Sequence, residues 1–532
     1  MCESIKCGVR TESARRRRVA ATLPAATHCC PPQQGSAALM LHFQPELIDL
    51  LPAAVAFTLV GLTMLCCGRT APKPQKHYDD KVEDLIASGS IKGFASVAKA
   101  TTGNQFAYHK AKGQKRTGGR VDLSAFNTVV HIDDEMRLVQ VEGLATMETV
   151  VRALDWRGYR IPIVPELKHI TVGGAIAGIG IESGSFRYGW FHQAMVECDL
   201  LTPGGEILRC SASNEHADVF HALPNSYGTL GYVLRATLRL VASRPYVAVT
   251  TTIHKSFKEA MQTMEQAENT SEFVEGLWWA PDKVSVTLTN YVDEVPKGKK
   301  LKRFDGLSIY YKAVGKPGTM YMTSPDYYFR WDADWFWNIP TDAGGYLVRL
   351  LTPRKLRTSS TYKWLRSLRV VKAWHRLETL WKPQGQPFVQ DWAVPWSRAD
   401  EFVREATKTR PHRKGVPYML LPVGTASNKA THYPCDREER YLNLGTYTEI
   451  DVPFEDALAE TRRIDDLCVK RHAGIKMLYS SSFLDLQTYT RVYGTLAPAT
   501  RKKVDPDGTR PSVFEKTAHP SILGCEELVL GY

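Results

Sequence analysis

The stretch Pro165-Glu166-Leu167-Lys168-His169-Ile170-Thr171-Val172-Gly173-Gly174-Ala175-Ile176-Ala177-Gly178-Ile179-Gly180-Ile181-Glu182-Ser183 decides how the rest of the protein is read. Glycine has no Cβ, so glycines at 173, 174, 178 and 180 let the backbone come very close to something flat or anionic. Backbone N–H groups in such a turn can converge on a phosphate. The spacing is not the dinucleotide fingerprint, because Ser183 stands where the third glycine belongs and Gly184 comes one residue late. Nor does Gly-Lys-Ser/Thr close it as in a P-loop.

The flanks alternate between strand and helix patterns. Residues 137–141 place Val139 and Val141 on one face, as a half-buried strand does. Thr146 predicts the N-cap of a helix carrying Val150, Val151 and Leu154, and Gly158 predicts its stop. After the glycine run, residues 195–201 read as a strand. Pro203-Gly204-Gly205 reads as a hairpin turn, and 206–210 as the return strand. Residues 218–223 form a short helical pattern. Residues 230–240 form a strand with Tyr232, Leu234, Ala236, Leu238 and Leu240 on one face.

This order resembles the FAD-binding domain of the PCMH-type, or vanillyl-alcohol-oxidase, superfamily. Within it the protein resembles the Δ24-sterol reductases. The matching pieces are Val164-Pro165-Glu166-Leu167, Thr171-Val172-Gly173-Gly174, Gly178-Ile179-Gly180-Ile181-Glu182-Ser183, Arg187-Tyr188-Gly189 and Gly228-Thr229-Leu230-Gly231. Further matches follow in order at Phe273-Val274-Glu275-Gly276-Leu277, Tyr327-Tyr328-Phe329-Arg330, Gln390-Asp391, Val394-Pro395, Asn443-Leu444-Gly445-Thr446-Tyr447 and Met477-Leu478-Tyr479. The likeness spans roughly residues 80–490. Two departures stand out. The first phosphate loop of the family has no secure counterpart in residues 99–120, and Asn225 and Tyr227 stand where relatives carry Trp and Cys.

The resemblance implies an α+β fold: a two-subdomain PCMH-type FAD-binding domain over 77–243 and an α+β substrate or cap domain over 244–510. A C-terminal tail occupies 511–532. It implies non-covalent FAD, since the histidine of covalent members has no clear counterpart, and NADPH as a transient reductant. The implied substrate is a sterol or isoprenoid-like lipid, and the double bond to be reduced lies in its side chain. The cofactor contacts it implies are Thr171, Val172, Gly173, Gly174, Ala175, Ile176, Ala177, Gly178, Ile179, Gly180, Ile181, Glu182 and Ser183. An unactivated alkene needs a buried, neutral proton donor. A phenol meets that need without adjustment, its usual pKa being about 10. Tyr479 is the candidate catalytic acid, ahead of Glu182. Two other readings stay open: a superfamily oxidoreductase acting on a hydroxy acid, lactone or sugar, and a flavin-free, non-catalytic membrane relative.

Composition is that of an ordinary globular protein. The net charge is +12, of which residues 1–76 supply +5. No nucleic-acid motif accompanies it, so an anionic membrane or a phosphorylated nicotinamide is the better reading. The cysteines are scattered outside the first 67 residues and never form Cys-x-x-Cys, which fits a reducing compartment. No cluster has metal-ligand spacing, and none is expected to bind metal.

The N-terminus divides in two. Residues 1–45 are a polar extension with a basic block at Arg15–Arg18. Leu50 to Gly68 then run 19 residues without a charge. At about 1.5 Å per residue that approaches the ~30 Å apolar thickness of a bilayer. The pattern predicts one transmembrane helix within 46–70, preceded by Glu46 and Asp49 and followed by Arg69, Lys73 and Lys76. That asymmetry places the catalytic domain on the cytosolic side, with the endoplasmic reticulum as the expected membrane. Between residues 300 and 400 aromatics crowd together. Most read as core, while Trp331, Trp335 and Trp337 also suit a membrane-interface patch.

Overall fold

The computed structural model describes residues 76–98, 108–111, 119–267, 269–333, 349–361, 386–409, 416–424, 430, 432–433, 440–450, 452–480, 482–523 and 528–531. The expected transmembrane helix, the polar extension, Trp335, Trp337 and most of 99–120 lie outside the described residues. Among the described residues no helix is long and apolar enough to cross a membrane.

Two antiparallel sheets organise the fold. The first has five strands: β1 (Val129–Asp133), β2 (Leu138–Glu142), β3 (Met195–Leu201), β4 (Ile207–Ser211) and β5 (Tyr232–Arg239), in the order β1-β2-β5-β3-β4. The alternation read in the sequence is what buries Val139, Val141, Leu234, Ala236 and Leu238. Helix α1 (Tyr78–Ala87) is tied to this sheet by buried polar contacts. Lys81 Nζ lies 2.7 Å from Glu142 Oε1, and the Tyr78 hydroxyl donates to Asp199 at 2.7 Å. Helix α2 (Met147–Leu154) starts at Thr146, whose hydroxyl accepts from Thr149 N–H at 3.2 Å, and the backbone leaves its last turn through Gly158 at φ 73°.

The second sheet has eight strands: β6 (Tyr246–His254), β7 (Phe273–Ala280), β8 (Lys283–Val292), β9 (Gly318–Thr323), β10 (Gln386–Pro395), β11 (Tyr418–Val423), β12 (Tyr441–Ile450) and β13 (Ile475–Lys476). Their order is β9-β6-β8-β7-β11-β12-β10-β13. Its two faces differ in kind. The outer face carries Val274, Trp278, Leu420, Leu444 and Trp392. They pack with Phe257 of α4 (Phe257–Gln266), Phe402 of α5 (Ala399–Ala406) and Ile464 of α6 (Phe454–Asp466). The inner face turns Phe273, Leu277, Met419, Leu421 and Tyr447 into the core shared with Val139, Val150 and Phe191 of the first half.

The glycine-rich stretch is a short helix, not the open turn its glycines suggest. Helix α3 (Val172–Ala177) is N-capped by Thr171, whose hydroxyl accepts from Gly174 N–H at 3.3 Å. Gly173 faces the neighbouring backbone, and its N–H donates to Gly143 O at 2.8 Å. Gly143 follows β2 directly, and a Cβ there would run into the Val233 carbonyl. Close backbone-to-backbone packing therefore seats α3 on the first sheet. Its far end is tied to the second: Ser183 O accepts from Val274 N–H at 3.0 Å, and Ser185 O from Gly424 N–H at 2.9 Å.

Among the described residues the aromatic crowding is mostly core. Tyr310, Tyr311, Tyr327, Trp331 and Trp392 are all buried. Trp331 is therefore no part of a membrane-interface patch. Its ring packs edge-on to Tyr310 at 5.1 Å, and its indole N–H points at Glu275.

Candidate functional site

The segment from Thr171 to Ser183 lies between the two sheets, and the structure shows how its amides are used. Val172 N–H donates to Ala145 O, Gly173 to Gly143 O, Ala175 to Thr171 O, Gly178 to Gly174 O and Gly180 to Ala175 O. These donors are engaged within the protein. Gly174 N–H is engaged too, on Thr171 Oγ1, so the amides of the four glycines are turned to the protein itself. What it offers is a low-relief surface. Among the described residues, and leaving aside its own helix backbone, a Cβ at Gly174 would meet Thr171 Oγ1 alone, at 2.9 Å.

A second loop lies against the first. Tyr227 N–H donates to Ala177 O at 3.1 Å, and the Tyr227 ring is 3.7 Å from where a Gly178 Cβ would sit. Left-handed backbone gathers here: Ile179 at φ 57°, Asn225 at 64°, Tyr227 at 49° and Gly228 at 78°. Such conformations cost about 1–3 kcal/mol at non-glycine residues and persist only when the surroundings impose them. Asn225 donates to His432 O at 2.7 Å, yet its Oδ1 and the neighbouring Ser226 Oγ are buried with no partner among the described residues. Two strained loops in contact, a relief-free glycine surface and orphaned buried polar atoms fit a large, flat, polar-edged group such as a flavin dinucleotide.

Beneath this surface lies a charge cluster that the sequence reading did not assemble. Glu182 bonds the hydroxyl and N–H of Ser183 through one oxygen. Its other oxygen accepts from Arg330 Nη2 at 2.6 Å. The same Nη2 reaches Glu275 Oε2 at 2.7 Å, and Nη1 donates to Tyr327 O at 3.0 Å. The guanidinium lies 4.1 Å from the Tyr327 ring centroid, and the Tyr310 hydroxyl donates to Glu275. All of these groups are buried. Glu182 is thus a structural carboxylate held by N–H and guanidinium groups. Burial, opposed by Arg330, leaves its pKa raised.

Two further carboxyls face the same region. Glu166, in the segment leading into α3, lies deep but keeps some accessible surface. Burial first, then the charge of Glu182, pushes it up to about 8. Asp391 on β10 is fully buried and pushed up to about 7 by burial, against the hydrogen bonds of Tyr447 and Asn443. Tyr479, the acid expected from the sequence, follows β13 and is half-buried against the outer-face core, which also takes in Ile179. Its neighbour Ser480 accepts from Lys476 Nζ at 2.9 Å and donates to Gln390 at 2.6 Å. A separate cleft of about 310 Å³ lies on the other side of Arg330. Lys168, Arg303, Asp305, Asp326 and Asp332 line it, and such charged walls suit no apolar substrate.

Arg330, Glu275, Glu166, Asp391 and Tyr447 were not singled out by sequence reasoning. The signal was present, because each lies inside one of the family-matching pieces.

Two outcomes follow from this geometry. Gly174→Leu should abolish flavin binding while the protein stays folded, read as the ratio of flavin to protein absorbance beside thermal unfolding. A fully flavin-loaded Gly174→Leu protein would remove this surface from the cofactor site. The second concerns pH. Glu166 keeps its proton in the fold up to about 8. The unfolded polypeptide releases it near the ordinary value of about 4.3. The stability this proton carries is complete below about pH 4 and is lost as pH rises through about 8. The thermal midpoint of cofactor-free protein should fall over that window, and Glu166→Gln should flatten part of the fall.

A family model described as an FAD binding domain matches residues 95–211. A Delta(24)-sterol reductase homolog of Caenorhabditis elegans is 30% identical over 416 residues, covering 71% of this chain and 75% of its own. The Delta(24)-sterol reductase of Macaca fascicularis is 28% identical over 73% of this chain and 75% of its own. That of Arabidopsis thaliana is 24% identical over 84% and 85%. With one such relative 30% identical over three quarters of its own length, the protein belongs to the Delta(24)-sterol reductase family, within the PCMH-type FAD-binding superfamily.

Proposed function

We infer that this protein reduces the Δ24 double bond of a sterol side chain with NADPH, using non-covalently bound FAD. The observation that carries the reading is the likeness to Delta(24)-sterol reductases across about three quarters of their length, joined to an FAD binding domain. FAD, when bound, supplies a hydride to one alkene carbon after accepting one from NADPH.

The protein's own residues do the rest. The segment 171–183 and the loop 225–228 hold the cofactor, and the Arg330 cluster fixes the far end of the first against the second sheet. Residues 77–243 serve as the cofactor domain and 244–510 as the substrate domain. The second carbon needs a proton from a buried neutral acid, for which Tyr479 is the residue the sequence nominates. The uncharged run from Leu50 to Gly68 tethers the enzyme to the endoplasmic reticulum, with its catalytic domain toward the cytosol and within reach of a membrane-dissolved substrate.

The purified protein should show a flavin spectrum that NADPH bleaches without oxygen and that a Δ24-unsaturated sterol restores. A protein without flavin, or one bleached but not restored by sterol, would sink the reading. Deleting residues 46–70 should release the protein from membranes into the carbonate supernatant. Retention in the pellet would place the anchor elsewhere.

A further inference from the structure

The inner face of the second sheet carries a buried acid pair that the cofactor segment does not need for its own packing. Asp391 and Gly445 are direct partners across β10 and β12. Tyr447, two residues along, lies on the same face, and its hydroxyl donates to Asp391 Oδ2 at 2.7 Å. Asn443, two residues the other way, donates to Asp391 Oδ1. Asp391 and Asn443 are fully buried, and Tyr447 keeps a sliver of exposure at 8%.

Gly445 is what makes the pair possible. A Cβ at that position would lie 2.5 Å from Asp391 Oδ1 and 2.9 Å from the Tyr447 ring. Any side chain would push the carboxyl and the phenol apart. Burying a carboxyl on the covered face of a sheet is costly, and among the described residues no direct ion pair to a cation offsets the cost. Across a neighbouring apolar pair such as Leu420 and Leu444 no such cost arises. The pair also faces the correct way. Tyr447 packs in the core shared with the first half, and Glu166, which leads into α3, acts electrostatically on Tyr447 and feels the charge of Asp391.

We propose that Tyr447 delivers the proton that completes alkene reduction and that Asp391 positions and re-supplies it. The proposal rests on the reductase reading above. When Asp391 is protonated it donates to the Tyr447 oxygen, and the phenolic hydrogen turns toward the substrate side. The alkene gains a hydride, and with it two electrons, from the reduced flavin. Its other carbon takes the Tyr447 proton as the C=C π bond is consumed. The Asp391 proton moves to the phenol oxygen, leaving Asp391 as a carboxylate that recovers a proton from water. No further oxidant or reductant is required.

The groups facing Asp391 agree with this cycle. Tyr447 and Asn443 bond it from β12, Lys476 acts on it from β13, and its own charge raises Glu166 in the segment before α3. Lys476 and the two hydrogen bonds favour the carboxylate, and burial favours the protonated form. Burial decides the balance and holds the carboxyl up at about 7, where it can both give and recover a proton.

The test uses the full-length, flavin-loaded protein. Tyr447→Phe should bind flavin and bleach with NADPH as the parent does, while sterol-driven reoxidation slows about 10²-fold, the usual size of a general-acid contribution. Asp391→Asn should flatten the fall in reoxidation rate that the parent shows as pH rises above about 7. In cofactor-free protein that also carries Glu166→Gln, so that the carboxyl held up at about 8 is gone, the infrared band of a protonated carboxyl that titrates near neutrality should vanish in Asp391→Asn, a readout independent of turnover. Unchanged reoxidation in Tyr447→Phe, the band persisting in Asp391→Asn, or a loss confined to Tyr479→Phe would each overturn the proposal. If the parent itself is not reoxidised by sterol, the reductase reading fails instead.

Discussion

One guanidinium holds the site together. Arg330 bonds Glu182 at the end of the segment 171–183 and Glu275 in the middle of β7, so one cation joins the two halves of the protein at the proposed cofactor site. Two carboxylates against one buried cation do not balance, and hydroxyl and indole donors from Tyr310, Ser183 and Trp331 spread the excess charge. A buried ion pair of this kind seldom adds much net stability, but removing one partner strands the others at about 3–5 kcal/mol. Its value is positional: Ile181, Glu182 and Ser183 have one place to be.

The second sheet divides its labour by face. Its outer side is closed by helices over Val274, Trp278, Leu420 and Leu444, the packing that makes a rigid platform. Its inner side carries Glu275, Thr287, Asn443 and Asp391, an unusual load of buried polar groups for a sheet interior. Such groups cost stability unless something uses them. A carboxyl held near neutrality and a phenol bonded to it are the parts an apolar, unactivated substrate lacks.

What the sequence disclosed was local. Thr146 as a cap, Gly158 as a stop and the alternation of Val139 with Val141 each depend on neighbours a few residues away, and each is seen within a residue or so of where the pattern places it. The glycine run was misread as an open turn because Thr171 caps it into a helix whose glycines are used for packing against Gly143 and Val233. The polar cluster was not legible as a cluster. Glu182 and Arg330 are 148 positions apart, and no periodicity announces such a pair. Asp391 and Tyr447 become partners only through the register of β10 on β12, with a glycine opposite the acid. The motifs contained these residues but not the distances between them.

The proposed cofactor surface is also buttressed from far along the sequence. Lys516 donates to the carbonyl of Tyr227, the residue whose N–H meets α3, and it sits on a short helix, Val513–Thr517, closed by a Ser512–Glu515 capping box. That contact bridges 289 positions. Polypeptides emerge from the ribosome at about 5–20 residues per second and fold from their N-terminal end. The first sheet and α3 therefore exist for many seconds before Arg330, Tyr447 and Lys516 arrive to enclose them. During synthesis the nascent protein presents a half-built cradle, open until these later contacts form.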